Sequence, residues 1–474
     1  MKGNKMKPVK WLWILLLVAV LGCTLATPTA DRTPAVDRTP TQTLVNISPV
    51  ITPSAISPVA TPSFVSPLVS PMSLASPTPV LTATSVVSKG NDVEDNVAAD
   101  VAVYLPLLIA PEATPTPVPT AALPPTPTPL PPPVPKPSFG IQIDPNTDDL
   151  PLVLRWVEGL GFGWIKVQVQ WAIVEQDPER YRWVELDRLV QLSNDFGFDL
   201  LLGVVDAPGW LRSEPGYNGP PYDPAEFGRF MGVLASRYTG RVTAYELWNE
   251  PNLQREWYGE TLDPAAFVAL TAAGSQAVRQ ADPQALIISA GPGVTGIDDG
   301  VTAIDDRRFL REALQAGLAQ WVDGIGVHPY GYGNPPWERA ADATHIRTAW
   351  NEHPSFFFLD TLEDYHAILV EAEADVQLWP TEFGWPAADG IRSTNLPSDF
   401  AYPYAAWVTE QEQAGYLTTA AYLMRERPWV GPFFVWNLNM SVTWGAERPE
   451  SLFSLLRPNG AYRPAYLALR FHQP

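Results

Sequence analysis

The chain has 474 residues, 52 of them proline, and a formal net charge of −20. A chain this acidic lacks the basic surface that displaces phosphate counterions, which excludes nucleic acid as a partner and favours an uncharged or weakly charged ligand. Its one cysteine, Cys23, excludes a disulfide framework and a thiolate metal site.

In chain order, Met1 to Cys23 reads as an export signal, with Lys2, Lys5, Lys7 and Lys10 ahead of an apolar run from Trp11 to Leu21. That run falls short of the roughly 18 apolar residues a membrane-spanning helix needs. Val20-Leu21-Gly22-Cys23 resembles the lipobox of bacterial lipoproteins, which implies lipidation of Cys23 and anchoring at the cell surface; a plain signal peptide and a secreted product are the alternative. Membrane contact is expected only through that anchor, and the protein is expected to be a monomer.

Residues 24–137 are built of Thr-Pro, Ser-Pro and small residues, as in Thr114-Pro115-Thr116-Pro117. Such a composition buries too little apolar surface to offset the entropy of ordering, so the segment reads as a disordered linker extended by its prolines. Within it, residues 101–110 (VAVYLPLLIA) are apolar and long enough for a strand. They read equally as a piece docked on the folded part, a small sub-element or a sticky patch in the stalk.

From residue 138 to 474 short apolar runs alternate with amphipathic stretches, the pattern of βα repeats. Eight candidate strands follow: Phe139–Ile143, Trp164–Val169, Leu200–Val205, Val242–Trp248, Leu286–Ala290, Gly324–His328, Gln377–Thr381 and Phe433–Asn437. Eight strands close a barrel. Asp223-Pro224 and Asp263-Pro264 are helix starts, Gly197 and Gly240 helix stops, and Phe227, Phe230, Met231 and Leu234 a face for packing. A last helix begins at Tyr462-Arg463-Pro464.

In Lys166-Val167-Gln168-Val169-Gln170 every second residue is polar, which turns a hydrophilic face into the barrel. Strands two and four share interior layers, so Lys166 reads as paired with Glu246 in structural support below the mouth; an unpaired buried charge costs several kcal/mol. A binding role for Gln170 ranks below that.

The fourth strand ends Trp248-Asn249-Glu250-Pro251 and the seventh Thr381-Glu382-Phe383-Gly384-Trp385. C-terminal strand ends share one mouth in such a barrel, so the two glutamates lie across it from each other. Strand six ends His328-Pro329-Tyr330 and strand eight Phe434-Val435-Trp436-Asn437. Taken singly, each Glu also reads as a solvated charge, Asn249 as a turn residue and His328 as a satisfied core residue.

Together these motifs resemble the retaining glycoside hydrolases of clan A, the (β/α)8-barrel clan that holds families five and thirty-nine. The resemblance implies a TIM barrel that hydrolyses O-glycosidic bonds of a poly- or oligosaccharide by double displacement through a glycosyl-enzyme intermediate. It assigns Glu250 as acid/base and Glu382 as nucleophile, and directs Asn249 to the sugar 2-hydroxyl. By the same match Tyr330 orients Glu382, His328 joins the acid/base network and Trp436 stacks on the sugar. Burial and the partner's negative charge are expected to keep Glu250 neutral while Glu382 stays ionised.

Trp171, Trp210, Trp257, Trp337 and Trp385 also follow strands, and some of them read as further subsite walls. The third strand runs into Asp206-Ala207-Pro208-Gly209-Trp210 without the His of many clan members; Asp206 reads as a hydroxyl-binding residue or a turn cap. The absence of a His-Glu-x-x-His pair, a Gly-rich phosphate loop and an acidic calcium loop predicts neither metal nor nucleotide cofactor. A non-catalytic carbohydrate-binding surface protein and a transglycosylase are the alternatives that the same residues allow.

Overall fold

The computed structural model describes residues 139–214, 216–343, 353–397 and 400–471; the export signal, Cys23, the linker and the 101–110 patch lie outside them. Its main sheet holds eight strands: β1 Phe139–Gln142, β2 Trp164–Gln170, β3 Asp199–Val205, β4 Ala244–Leu247, β5 Leu286–Ser289, β6 Gly324–Val327, β7 Gln377–Pro380 and β8 Phe433–Val435. They pair in parallel in the order β8-β1-β2-β3-β4-β5-β6-β7. Bridges Leu378–Val430 and Phe383–Val435 join β7 to β8, so the sheet closes on itself. The architecture is a (β/α)8 barrel.

Each strand leads into a helix: α1 Leu150–Leu160, α2 Val184–Asp195, α3 Pro224–Arg237, α4 Pro264–Ala281, α5 Asp306–Gln315, α6 Phe358–Glu371, α7 Glu410–Arg425 and α8 Pro464–Phe471. Local chemistry starts them. The carboxylates of Asp223 and Asp263 accept from the backbone N–H groups of Ala225 and Ala265 at 2.9 and 2.8 Å, and a proline follows each cap where no N–H is needed. Phe227, Phe230, Met231 and Leu234 of α3 are fully buried against the sheet.

The barrel interior has its own apolar layer, Trp164, Leu201, Ala244, Ile288, Trp379 and Phe434, separate from the shell between sheet and helices. Trp164 meets Trp379 edge-on at 5.5 Å and Phe434 at 6.0 Å between ring centroids. These rings form a packed floor, which leaves the C-terminal strand ends as the way in for a ligand. The fourth strand is shorter than its apolar run predicts, Ala244–Leu247, because Trp248 turns out of the ladder at φ 82°.

Candidate active site

Glu250 and Glu382 stand at this mouth, 8% and 6% exposed. Five hydrogen bonds hold the Glu250 loop. Asn252 exchanges hydrogen bonds with the backbone of Gly293 at 2.7 and 2.9 Å and donates to Ile304 O, the Trp248 indole donates to Glu256 O at 2.9 Å, and Glu250 N donates to Gly291 O. They hold Trp248 and Glu250 in left-handed backbone, φ 82° and 40°, a conformation that costs non-glycine residues of the order of 1–3 kcal/mol. Gly293 makes room for the result: a Cβ there would sit 2.5 Å from Leu253 and 3.0 Å from the Glu250 carboxyl.

His328 ties the two carboxyls together. Its Nδ1 lies 3.2 Å from Glu250 Oε1 and 4.0 Å from Glu382 Oε2, which limits the gap between the acids to the sum of those reaches. Burial opposes charge on this imidazole, but the Glu382 and Glu250 carboxylates outweigh it and raise its pKa. Tyr330 donates its hydroxyl to Glu382 Oε2 at 2.9 Å; burial first and then Glu382 hold that phenol well above the usual range, so it stays a donor. Lys166 Nζ lies 2.7 Å from Glu246 and 3.2 Å from Glu382 Oε1. Burial works against its charge, and the two carboxylates more than restore it.

Some expectations need correction. Lys166 is not confined to support beneath the mouth, because it touches Glu382 itself. Glu250 is not held neutral: burial pushes its pKa up, but the Arg255 guanidinium paired with Oε2 and the His328 contact together bring the carboxyl down to about 2. Trp171 and Trp385 offer no sugar platform. Both are wholly buried, Trp171 stacked on Phe230 with its indole on Glu175, Trp385 bonded to Asn334 O and packed on Phe358.

Trp257 is buried too, whereas Trp210 and Trp337 are 38% and 56% exposed. Trp436 is half-buried beside Tyr330 and Phe453, at 6.0 and 4.7 Å between ring centroids. Asp206, just past β3, has left-handed backbone, φ 58°, and lies 3.5 Å from Arg212; Gln170 at the end of β2 is exposed.

Residues that the motifs did not point to complete the mouth. Arg255 and Glu256 lie five and six places past Glu250 on its loop, and spacing alone does not tell whether such side chains turn inward. Gln142 Oε1 and Asp144 Oδ2, at the end of β1, are buried without a protein partner, as is Asn249 Oδ1. The alternation Ile141-Gln142-Ile143-Asp144 carries the same polar-face signal as strand two and was available to find them.

Among solved structures, this chain is similar to a family 39 glycoside hydrolase from the gut symbiont Bacteroides cellulosilyticus (TM-score 0.53, 22% identity, covering 71% of this chain and 63% of that one). It is also similar to a glucosidase from Croceicoccus marinus (TM-score 0.50, 14% identity, 70% and 66% covered). A third is a GH5_18 structure from Streptomyces cattleya in complex with GlcNAc (TM-score 0.50, 15% identity, 71% and 79% covered). The chain spans less than two thirds of the length of the first two, and the shared feature is the barrel fold. No family model and no curated protein matches it.

Proposed function

We propose that this chain is a retaining glycoside hydrolase, exported and held at the cell surface through lipidated Cys23, that cleaves O-glycosidic bonds of a poly- or oligosaccharide. The observation that carries the reading is the joining of Glu250 and Glu382 through one His328 nitrogen at a barrel mouth. Glu382, fixed by Lys166 and Tyr330, attacks the anomeric carbon; Glu250 first gives its proton to the glycosidic oxygen and then takes one from water. The bound on the gap between the acids admits the roughly 5–5.5 Å of retaining enzymes and also the lower end of the roughly 6.5–9.5 Å of inverting ones, so retention rests on the strand-end motifs. The unpartnered buried oxygens of Gln142, Asp144 and Asn249 suit sugar hydroxyls, and Trp436 suits an apolar sugar face.

Incubation with a broad panel of polysaccharides and oligosaccharides, with product sizing and anomeric NMR, tests this. The first product is expected to keep the anomeric configuration. Glu382→Gln should abolish turnover; Glu250→Ala should lose roughly 10²–10⁴-fold on poor leaving groups and be rescued by azide. Inversion in the first product overturns the mechanism, binding without any release points to a lectin-like barrel, and transfer to a second sugar marks a transglycosylase.

A further inference from the structure

Both oxygens of Glu250 are occupied. Oε1 faces His328, which is fully buried beneath it, and Oε2 is paired with Arg255. A proton donor must be neutral and must have a free oxygen turned to the leaving group, and Oε2 is the one on the open side. Arg255 stands on that side: its side chain is 56% exposed, against 10% for Glu250.

A second seat lies next to the first. Glu256 Oε1 is 3.6 Å from Arg255 Nε, and Asn218 and the Trp248 indole fix that residue from the other side, through its Oε2 at 3.0 Å and its backbone carbonyl. Burial drives the Glu256 carboxyl up to about 7 against the pull of Arg255, and the Glu250 charge adds to the rise.

We propose that Arg255 is a positioning residue that works as a two-seat latch: it covers Glu250 Oε2 while the mouth is empty and moves to Glu256 when the leaving-group side of a glycan takes that place. Only the identity of the displacing ligand rests on the glycosidase reading. Glu250 then becomes a proton donor in the complex and stays ionised in the free protein. The other groups facing it are Tyr330 and Tyr332 beyond β6, Glu382 beyond β7, and Tyr402. None of these is an exposed cation, so among the described residues Arg255 is the one that can be exchanged for a ligand without unpacking the barrel.

The test uses the full chain and no glycan. A water-soluble carbodiimide with an amine trap labels protonated carboxyls, and peptide mass spectrometry follows Glu250 and Glu256 separately against pH. The midpoint, not the rate, is read. A nearby cation favours the carboxylate, so Arg255→Gln is expected to raise the Glu250 midpoint by at least about one pH unit, a tenfold change in the proton equilibrium. Arg255→Lys, which keeps the charge, should stay near the wild type.

Glu250→Gln by itself lowers the Glu256 midpoint, because the Glu250 charge that helps raise it is gone. The second seat is therefore read from Arg255→Gln, which should raise the Glu256 midpoint by more in the Glu250→Gln background than it does alone. An unmoved Glu250 midpoint in Arg255→Gln, or the same rise in Arg255→Lys, overturns the latch. A rise no larger in the Glu250→Gln background than in the otherwise unchanged chain overturns the second seat. A panel in which no glycan is cleaved ends the glycosidase reading and leaves these midpoints as they are.

Discussion

At the scale of single residues, Lys166 is the centre of the charge balance. It is a wholly buried ammonium with Glu246 at 2.7 Å, Glu382 at 3.2 Å and the Thr381 carbonyl at 3.3 Å. Taking charges out of water is costly, and this arrangement offsets the cost only while all partners are present. Lys166→Met leaves two buried carboxylates without their cation. It is expected to cost about 3–5 kcal/mol, read by urea unfolding, and to abolish turnover even where the protein stays folded. A loss below about 1 kcal/mol would show that water, not Lys166, compensates these acids.

At the scale of elements, the site depends on how closely β5 and β6 approach. A Cβ on Gly326 would sit 2.4 Å from Ser289 O, a backbone atom that has nowhere to go. Gly326→Ala therefore pushes β6 outward, and with it His328 and Tyr330 at its end; overpacking of this kind costs about 1–3 kcal/mol. The expected outcome is a lower urea midpoint together with lost turnover. The contrast is Asp223→Ala, which removes the cap of α3 on the outer surface. That change should cost about 1 kcal/mol and leave turnover of the folded protein unchanged. Equal effects of the two on turnover would mean that β6 position does not set the site.

At the scale of the whole molecule, ring closure does the work that no single element does. It brings β4 and β7, separated by well over a hundred residues, to opposite sides of one mouth above an aromatic floor. The acidic balance of the chain carries the expectation of a weakly charged substrate in place of a phosphate polymer. The proposed anchor is tested here too: Cys23→Ala should shift the full-length protein from the membrane fraction to the medium, with turnover per molecule unchanged. Persistence in the membrane fraction would end the lipoprotein reading.

By itself the sequence determined what depends on neighbours along the chain. The alternation of apolar runs and amphipathic helices, the Asp-Pro caps and the polar face of strand two all have short periods that backbone geometry dictates, and they predict eight strands with Glu250 and Glu382 at two of their ends. Tertiary structure decided what depends on side-chain direction in loops and across the ring. Trp171 and Trp385 follow strands as Trp436 does, yet they turn into the core, because what they meet belongs to distant helices. Lys166 reaches past Glu246 to Glu382 because β2 and β7 face the same enclosed volume. Arg255 lies so near Glu250 in sequence that no periodicity flags it, and only the fold of the loop brings its charge onto the carboxyl. Local geometry is written in spacing, whereas electrostatics is a matter of distance through space.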